Sequence, residues 1–217
     1  MDIVNSPMIL SEPEIVQRVV SGEKALFEIL IRRTNSALYR IARSYGFMHQ
    51  DAEDLMQETH IAAFIELKKF EGRSSYKTWI SKIMVHKCIY KLTYGHFKRE
   101  VPSVSIQENA KPMHIPFHFS QTEQEVSNRE LATILENSLR RIPLEYRTVF
   151  VMREIEGYSV AETAELLNLT EVNVKVRCSR AKNMLQKEIE KIFTRSEIYS
   201  FNLKYCDGMV ERVMNRI

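Results

Sequence analysis

Cysteine is scarce in this chain. The three present, Cys88, Cys178 and Cys206, are scattered without a C-x-x-C spacing. That excludes a disulfide framework and, with no signal peptide evident, argues for reduced thiols in a cytoplasmic protein. Long apolar runs are missing too. None approaches the ~18 residues that span a bilayer, so no membrane insertion is expected. Glycine is sparse, with six in 217 residues, and alternating β-branched stretches are few. Long segments of period 3.6 take their place, which points to an all-α protein. The single tryptophan, Trp79, sits at a core spacing and reads as a core anchor rather than a base-stacking ring. No paired carboxylates, nucleophile–base pair or metal-ligand cluster can be assembled, so neither an enzymatic step nor a cofactor is expected. His114 and His118 lie four apart, but Pro116 between them prevents the helical geometry that would bring both rings onto one metal.

What is abundant is charge of both signs, 31 basic against 28 acidic residues. The distribution is more informative than the balance. Residues 1–67 hold ten acidic and six basic side chains, whereas residues 68–99 hold nine Lys or Arg and one acid, Glu71. A one-sided block of this kind suits a phosphate-facing surface, although a merely solvated face has the same composition. The length is enough for one ordinary domain or two small ones.

The organising stretch is Ser159 to Lys187. Ser159 followed by Glu162 is a capping box, so a short helix starts there, with Ala161, Ala164 and Leu167 as its apolar face. Asn168 ends it, since Asn tolerates the left-handed conformation of a helix C-terminus. Thr170 caps a longer helix. Its seam is Val174, Cys178, Ala181, Leu185, Ile189 and Ile192, backed by a basic, hydrogen-bonding face. This is the pattern of a helix-turn-helix that enters a major groove, although an ordinary amphipathic hairpin shares part of it.

The rest of the chain reads as helices. Ser11 to Glu14 opens one that buries Ile15, Val16, Val19 and Val20 and stops at Gly22. A second runs from about Glu23 to Tyr45, with Leu26, Ile29, Leu30, Leu38, Ile41 and Ala42 inward, and ends at Gly46. A third starts near Gln50 behind an acidic first turn, packs Leu55, Met56, Ala63 and Leu67, and carries Asp54, Gln57, Glu58 and Ile61 on one face. That face is either plain surface or a docking site for a basic helix. Phe70 to Ser75 is a break, and Tyr76 to Tyr94 is helical with Tyr76, Trp79, Ile80, Ile83 and Met84 buried. Residues 100–125, with three prolines among polar residues, read as an extended, mobile linker. A helix from about Gln124 to Arg141 carries a stripe of Leu131, Ile134, Leu135 and Leu139. Pro143 opens the next, with Tyr146, Val149 and Phe150 inward, and Arg153 a further candidate. In the tail, Met209, Val210, Val213 and Met214 have helical spacing and suit a docked or partner-binding helix.

Two segments carry a family resemblance. DAEDLMQETHIAAFIELKKFEGRSSYKT, from Asp51 to Thr78, followed by Trp79, resembles region 2 of extracytoplasmic-function (ECF) sigma factors in the sigma-70 family. IPLEYRTVFVMREIEGYSVAETAELLNLTEVNVKVRCSRAKNML, from Ile142 to Leu185, resembles their region 4. Region 4 alone also looks like response-regulator output domains. The two segments in this order, with a short linker, are specific.

The resemblance implies two small helical domains: region 2 at residues 10–99 and region 4 at 126–193, joined by the linker at 100–125 and followed by a tail at 194–217. It implies a bacterial transcription initiation factor that binds RNA polymerase core through the β′ coiled coil and the β flap. By motif position the polymerase-binding residues are Asp51, Asp54, Leu55, Gln57, Glu58 and Ile61. The −10 element would be opened and read by Phe70, Arg73, Ser74, Ser75, Lys82, His86 and Lys87. The −35 element would be read as duplex by Thr170, Asn173, Lys175, Val176, Arg177, Ser179, Arg180 and Lys182. An anti-sigma factor is an implied partner, as is promoter DNA. Four positions depart from the family pattern: His86 stands where Asn is common, Val176 for Ser, Asn168 for Gly, and Cys178 for Leu or Ile. A different reading keeps only the helix-turn-helix, as a DNA-binding regulator with an N-terminal sensor or dimerisation domain. Such a regulator needs neither the acidic Asp54 face nor the basic block.

Overall fold

The computed structural model describes residues 10–95, 123–192, 209–210 and 212–214, and every regular element among them is helical. The all-α expectation therefore holds. Helix α1 is Glu12–Val20, capped by the Ser11 hydroxyl, which accepts from the Glu14 N–H at 3.4 Å. Val20, expected inward, is exposed, because the helix ends there and its last turn faces solvent. A 3-10 turn at Lys24–Leu26 leads into α2, Phe27–Ser44, so the second helix starts as a tighter coil than its periodicity suggests. Gly46 follows it with φ +93°, a conformation that favours a residue without Cβ. Helix α3 is His49–Glu66, and α4 is Tyr76–Gly95.

Helices α1 to α4 enclose one apolar core. Ile15, Leu30, Leu38, Ile41, Leu55, Tyr76, Ile80 and Met84 are fully or almost fully buried within it. Two buried threonines return their hydroxyls to the helix: Thr34 donates to the Leu30 carbonyl at 2.7 Å and Thr59 to that of Leu55 at 2.6 Å. No bare hydroxyl is left in the core at either place. Trp79 is half-buried and leans on Phe70 and Tyr76, with ring centroids 5.2 and 5.7 Å away, as a core anchor would.

The second half begins with α5, Glu123–Arg140, which starts inside the stretch read as linker. Ile134, Leu135 and Leu139 are half-buried as expected, but Leu131 is exposed and Ser138 is buried instead. Helix α6, Leu144–Phe150, opens on Pro143 and continues into a π-helical turn, Val151–Ile155. The turn closes with the Glu156 N–H on the Val151 carbonyl at 2.9 Å, and Gly157 follows at φ +76°. Helix α7 is Val160–Leu167 and α8 is Glu171–Glu190.

Local chemistry places this last pair as the sequence suggests. The Ser159 hydroxyl accepts from the Glu162 N–H at 3.1 Å while the Glu162 carboxylate accepts from the Ser159 N–H at 2.8 Å. Asn168 adopts φ +51°, the left-handed C-cap. On α8, Val174, Cys178 and Ala181 are buried and Leu185 and Ile189 half-buried, but Ile192 lies beyond the helix and is exposed. On α7 the apolar face differs from the expectation. Ala161 is exposed, Leu167 is half-buried, and Thr163, Ala164 and Leu166 are buried. The helix is covered on two sides, so a single stripe does not describe it.

The two halves touch. Met152, Tyr158 and Leu166 of the second half are buried in the same apolar cluster as the core of the first. Val149, Ala164, Val174 and Cys178 form the separate small core of the helix-turn-helix. Residues 96–122 lie outside the described residues, with Lys98, Arg99, His114, His118 and the three linker prolines, and so does Cys206. In the tail, Met209, Val210, Val213 and Met214 are helical and exposed.

Candidate nucleic-acid interface

Three surfaces carry the residues singled out from the sequence. The first is the outer face of α3. Asp54, Gln57, Glu58 and Ile61 all lie exposed along it, as their three-and-four spacing requires. Leu55 does not belong to this face. It is 2 % exposed and part of the core, because one residue along a helix turns the side chain by about 100° away from Asp54. Asp51 is half-buried at the edge and pairs with Lys91 at 2.7 Å. Glu58 pairs with Lys87 at 3.2 Å. The face continues further than expected. Phe64 and Ile65, three and four residues beyond Ile61, are large and exposed, and that spacing was the available signal for them. Acidic at its start and apolar at its end, the face has the composition of a protein-docking helix.

The second surface is the loop before α4 and the adjoining helix. Gly72 takes φ +70° and turns the loop sharply. Ser75 then caps α4, its hydroxyl accepting from the Thr78 N–H at 3.0 Å. Phe70 is half-buried, with its ring edge-on to Tyr76 at 5.9 Å, so it props the loop as well as lining it. A cleft of about 420 Å³ opens between α1 and this loop, lined in part by Gln17, Phe70, Gly72, Ser74 and Ser75. Ser74 and Arg73 are exposed, and Arg73 pairs with Glu71. His86 is exposed on α4, one turn beyond Lys82, and lines a second groove with Tyr90 and Tyr94.

The basic block of residues 68–99 is less bare than its sequence. Lys69 pairs with Glu66, Lys87 with Glu58 and Lys91 with Asp51. Two further lysines find acids from the other half of the chain: Lys82 meets Glu165 at 2.8 Å and Lys77 meets Glu156 at 3.0 Å. Glu156 also takes Arg40, and its side chain is almost fully buried. Burial pushes its carboxyl up, but the hydrogen bonds from Arg40 and Lys77 outweigh this and hold it below the usual carboxylate range.

The third surface is α8. Its 20 residues make a rod about 30 Å long, started by Thr170, whose hydroxyl accepts from the Asn173 N–H at 3.2 Å. Asn173, Lys175, Val176, Ser179 and Arg180 are exposed together, opposite the buried seam. Arg177 is half-buried and lies 3.5 Å from Glu145. Lys182 bonds Glu154 at 2.9 Å, a contact that raises the lysine pKa and lowers the carboxyl pKa. These two basic residues therefore flank the open face rather than stand on it. Val172, exposed beside them, was not singled out from the sequence. Cys178 donates its thiol to Glu154 at 3.4 Å from within the seam, and burial raises its pKa, as a packing residue requires.

Among the described residues no helix is long and apolar enough to cross a membrane, and no cluster of His, Cys, Asp or Glu could hold a metal ion.

Comparison with known proteins agrees with this layout. Residues 30–95 match the family model for Sigma-70 region 2, and residues 132–185 match that for Sigma-70, region 4. The ECF RNA polymerase sigma factor SigM of Mycobacterium tuberculosis is 27 % identical over 177 residues, covering 82 % of this chain and 84 % of that protein. Two solved structures share the fold. CnrH, in complex with the cytosolic domain of CnrY, aligns with a TM-score of 0.59 at 23 % identity, over 83 % of this chain and 97 % of CnrH. The sigma factor RpoE from Bartonella quintana, in a co-crystal with the anti-sigma factor NepR, aligns with a TM-score of 0.56 at 21 % identity, over 76 % of this chain and 96 % of RpoE. Two matched regions in the family's order, together more than half of the chain, place it among the ECF RNA polymerase sigma factors of the sigma-70 family: a non-catalytic initiation factor whose region 4 is a DNA-binding helix-turn-helix.

Proposed function

We propose that the three surfaces divide the work of promoter recognition. The outer face of α3, with Asp54, Gln57, Glu58 and Ile61, docks on the β′ coiled coil of core polymerase, and Phe64 and Ile65 extend that contact. Region 4 rests on the β flap. The loop Phe70–Ser75 and the α4 face of Lys82, His86 and Lys87 open the −10 element and hold its strand, a flipped base sitting in the cleft beside Ser74 and Ser75. The ring nitrogens of His86 can hydrogen-bond a base edge. Helix α8 enters the −35 major groove with Thr170, Asn173, Lys175, Val176, Ser179 and Arg180. Val176 is placed to meet a thymine methyl, and Arg177 and Lys182 reach phosphates from the flanks.

The working units are residues 10–99 and 126–193, with 100–125 as the tether and 194–217 as a tail of separate function. The protein acts in the cytoplasm, where core polymerase and promoters are. An anti-sigma factor holds it inactive, a reading supported by the co-crystal of the Bartonella relative with the anti-sigma factor NepR.

The observation that carries this reading is α8 itself. A capped helix in a helix-turn-helix exposes Lys175, Val176, Ser179 and Arg180 opposite a buried seam. Run-off transcription with purified core polymerase on a library of promoter fragments tests it. Specific transcripts that require this protein, and that disappear on Asp54→Lys or Arg180→Ala, are the expected result. Sequence-specific DNA binding by the protein alone, with no core binding and no new transcripts, would overturn it in favour of a simple regulator.

A further inference from the structure

The cleft beside the Phe70–Ser75 loop has two walls, and only one of them is the loop. The other is α1, which contributes Glu12, Val16, Gln17 and Val20. The match to Sigma-70 region 2 begins at residue 30, so this wall lies outside the matched segment. It is nonetheless fixed in place. Ile15, Val16 and Val19 anchor α1 in the core, the Glu12 carboxylate accepts from the Tyr76 N–H at 3.3 Å, and Arg33 donates to the Leu10 carbonyl at 3.0 Å. At about 420 Å³ the cleft falls in the usual range of small-ligand sites and has room for one base. It is open at Gly72, where no described atom lies within 4 Å of the place a Cβ would take. The hydroxyls around it are engaged. That of Ser21 donates to the Gln17 carbonyl at 2.9 Å and that of Ser74 to the Ser75 carbonyl at 3.3 Å. That of Ser75 accepts from the Thr78 N–H at 3.0 Å and shares a bond of 2.9 Å with the Thr78 hydroxyl. The Gln17 amide is exposed and makes no hydrogen bond among the described residues, so both its donor and its acceptor are open to an incoming base.

We infer that Gln17 of α1 reads the base turned out of the −10 element, and that it selects a base with an exocyclic amine, adenine or cytosine, over one with an oxo group in that place. The inference rests on the reading of this cleft as the seat of the flipped base, and adds the residue and the chemistry that choose the base. Adenine and cytosine present an amine beside a ring nitrogen that accepts. The Gln17 side-chain oxygen takes the amine while its NH₂ group gives to the ring nitrogen, the two-point pairing that amides make with adenine in a groove. Guanine and thymine present an oxo group beside a ring N–H. An amide turned about its last torsion would meet that pattern equally well, so Gln17 by itself does not discriminate. Glu12 and Glu71 make the difference. Both line the same cleft, and ionised carboxylates only accept: they take the second proton of an amine and repel an oxo oxygen. Val20 on α1, 40 % exposed, and Phe70 on the loop give the ring apolar walls to lie between. Lys68 also lines the cleft, exposed and without an ion pair among the described residues, and is suited to the phosphate of the turned-out nucleotide.

Base analogues that exchange only these atoms test this. Hypoxanthine is adenine with an oxo group in place of its amine, and uracil is cytosine changed in the same way. In a promoter selected by run-off transcription, 2-aminopurine is first placed at each position of the −10 element in turn. Its fluorescence rises where the base leaves the stack. Fork-junction DNA is then made with adenine, hypoxanthine, cytosine or uracil unpaired at that position, and its affinity for holoenzyme is read by fluorescence anisotropy. Holoenzyme with the natural chain is expected to bind the amine base about tenfold more tightly than its oxo counterpart in both pairs, within the range of one two-point base contact. With Gln17→Ala the members of each pair are expected to bind within about twofold of one another, and α1 is kept because alanine is the best helix former. Equal binding of amine and oxo bases by the natural chain, or an undiminished preference in Gln17→Ala, overturns the inference. Failure of the cleft reading is a separate outcome. Ser74→Trp puts an indole across the cleft. If holoenzyme with Ser74→Trp still unstacks the base and binds the fork as the natural chain does, the base does not sit there and both readings fall. If Ser74→Trp abolishes both signals while Gln17→Ala keeps the preference, the cleft reading stands and Gln17 is not its reader.

Discussion

His60 makes acid the weak side of region 2. It lies on α3, 7 % exposed, with its ring edge-on to Phe27 at a centroid distance of 6.5 Å. Nε2 is 2.9 Å from the Asn35 side-chain oxygen, so the proton sits on Nε2, and Nδ1 is buried without a partner. A second proton on Nδ1 would have nowhere to point, and burial lowers the pKa from 6.5 to about 4. The unfolded chain takes up that proton near pH 6.5 and the folded chain not until about pH 4. Stability from this residue is therefore complete above pH 7 and falls as the pH drops through 6.5 towards 4. Between pH 7.5 and pH 5 the loss comes to about 2 kcal/mol. Urea unfolding followed by circular dichroism should place the midpoint about 1 M lower at pH 5 than at pH 7.5. Glutamine at this position retains an amide donor for Asn35 and cannot titrate. The His60→Gln protein should therefore be less stable at pH 7.5 but lose much less on acidification. Equal losses in the two proteins would refute the account, since the carboxylates common to both would then explain the whole effect.

Three other outcomes follow from single contacts. Ser159→Ala removes the acceptor for the Glu162 N–H and should cost about 1 kcal/mol, seen as a melting temperature lower by about 3 °C. Cys88 is fully buried and its thiol is pushed up to about 12, so alkylation mapped by mass spectrometry should leave it unmodified at pH 8 until denaturant is added. Arg180→Ala in holoenzyme should weaken binding to a duplex carrying the −35 element and, if the guanidinium holds a phosphate, reduce the slope of log affinity against log salt by about one; fluorescence anisotropy across a salt series measures both.

What could be read in the sequence was local. The Ser159 cap, the Asn168 turn and the Val174–Cys178–Ala181 seam depend on residues within four positions of one another, and all stand where the pattern puts them. The outer face of α3 is equally local, and the helical period put Leu55 in the core, where it lies, while the family motif grouped it with its exposed neighbours. Two errors fell at helix ends, where Val20 and Ile192 keep the period but lose the neighbour that would cover them, and a third, Leu131, lies exposed in the middle of α5. Others fell on α7, where a helix packed on both sides hides Thr163 and Leu166 and leaves Ala161 outside. Glu156 was illegible for another reason. A carboxylate after a helix reads as surface, and nothing nearby announces that Arg40 and Lys77, 116 and 79 residues earlier, will enclose it. The basic block was seen correctly as composition, but the partners of Lys77 and Lys82 were not, since Glu156 and Glu165 come from the opposite half of the chain.

The apolar side of the junction has a consequence for the life of the protein in a cell. Met152, Tyr158 and Leu166 are covered only while the two halves are together. Parting of the halves would uncover all three at once. Apolar surface uncovered in this way is what chaperones and proteases recognise, and it also drives aggregation. Separated halves would therefore be prone to proteolysis and aggregation unless another surface covered these three side chains.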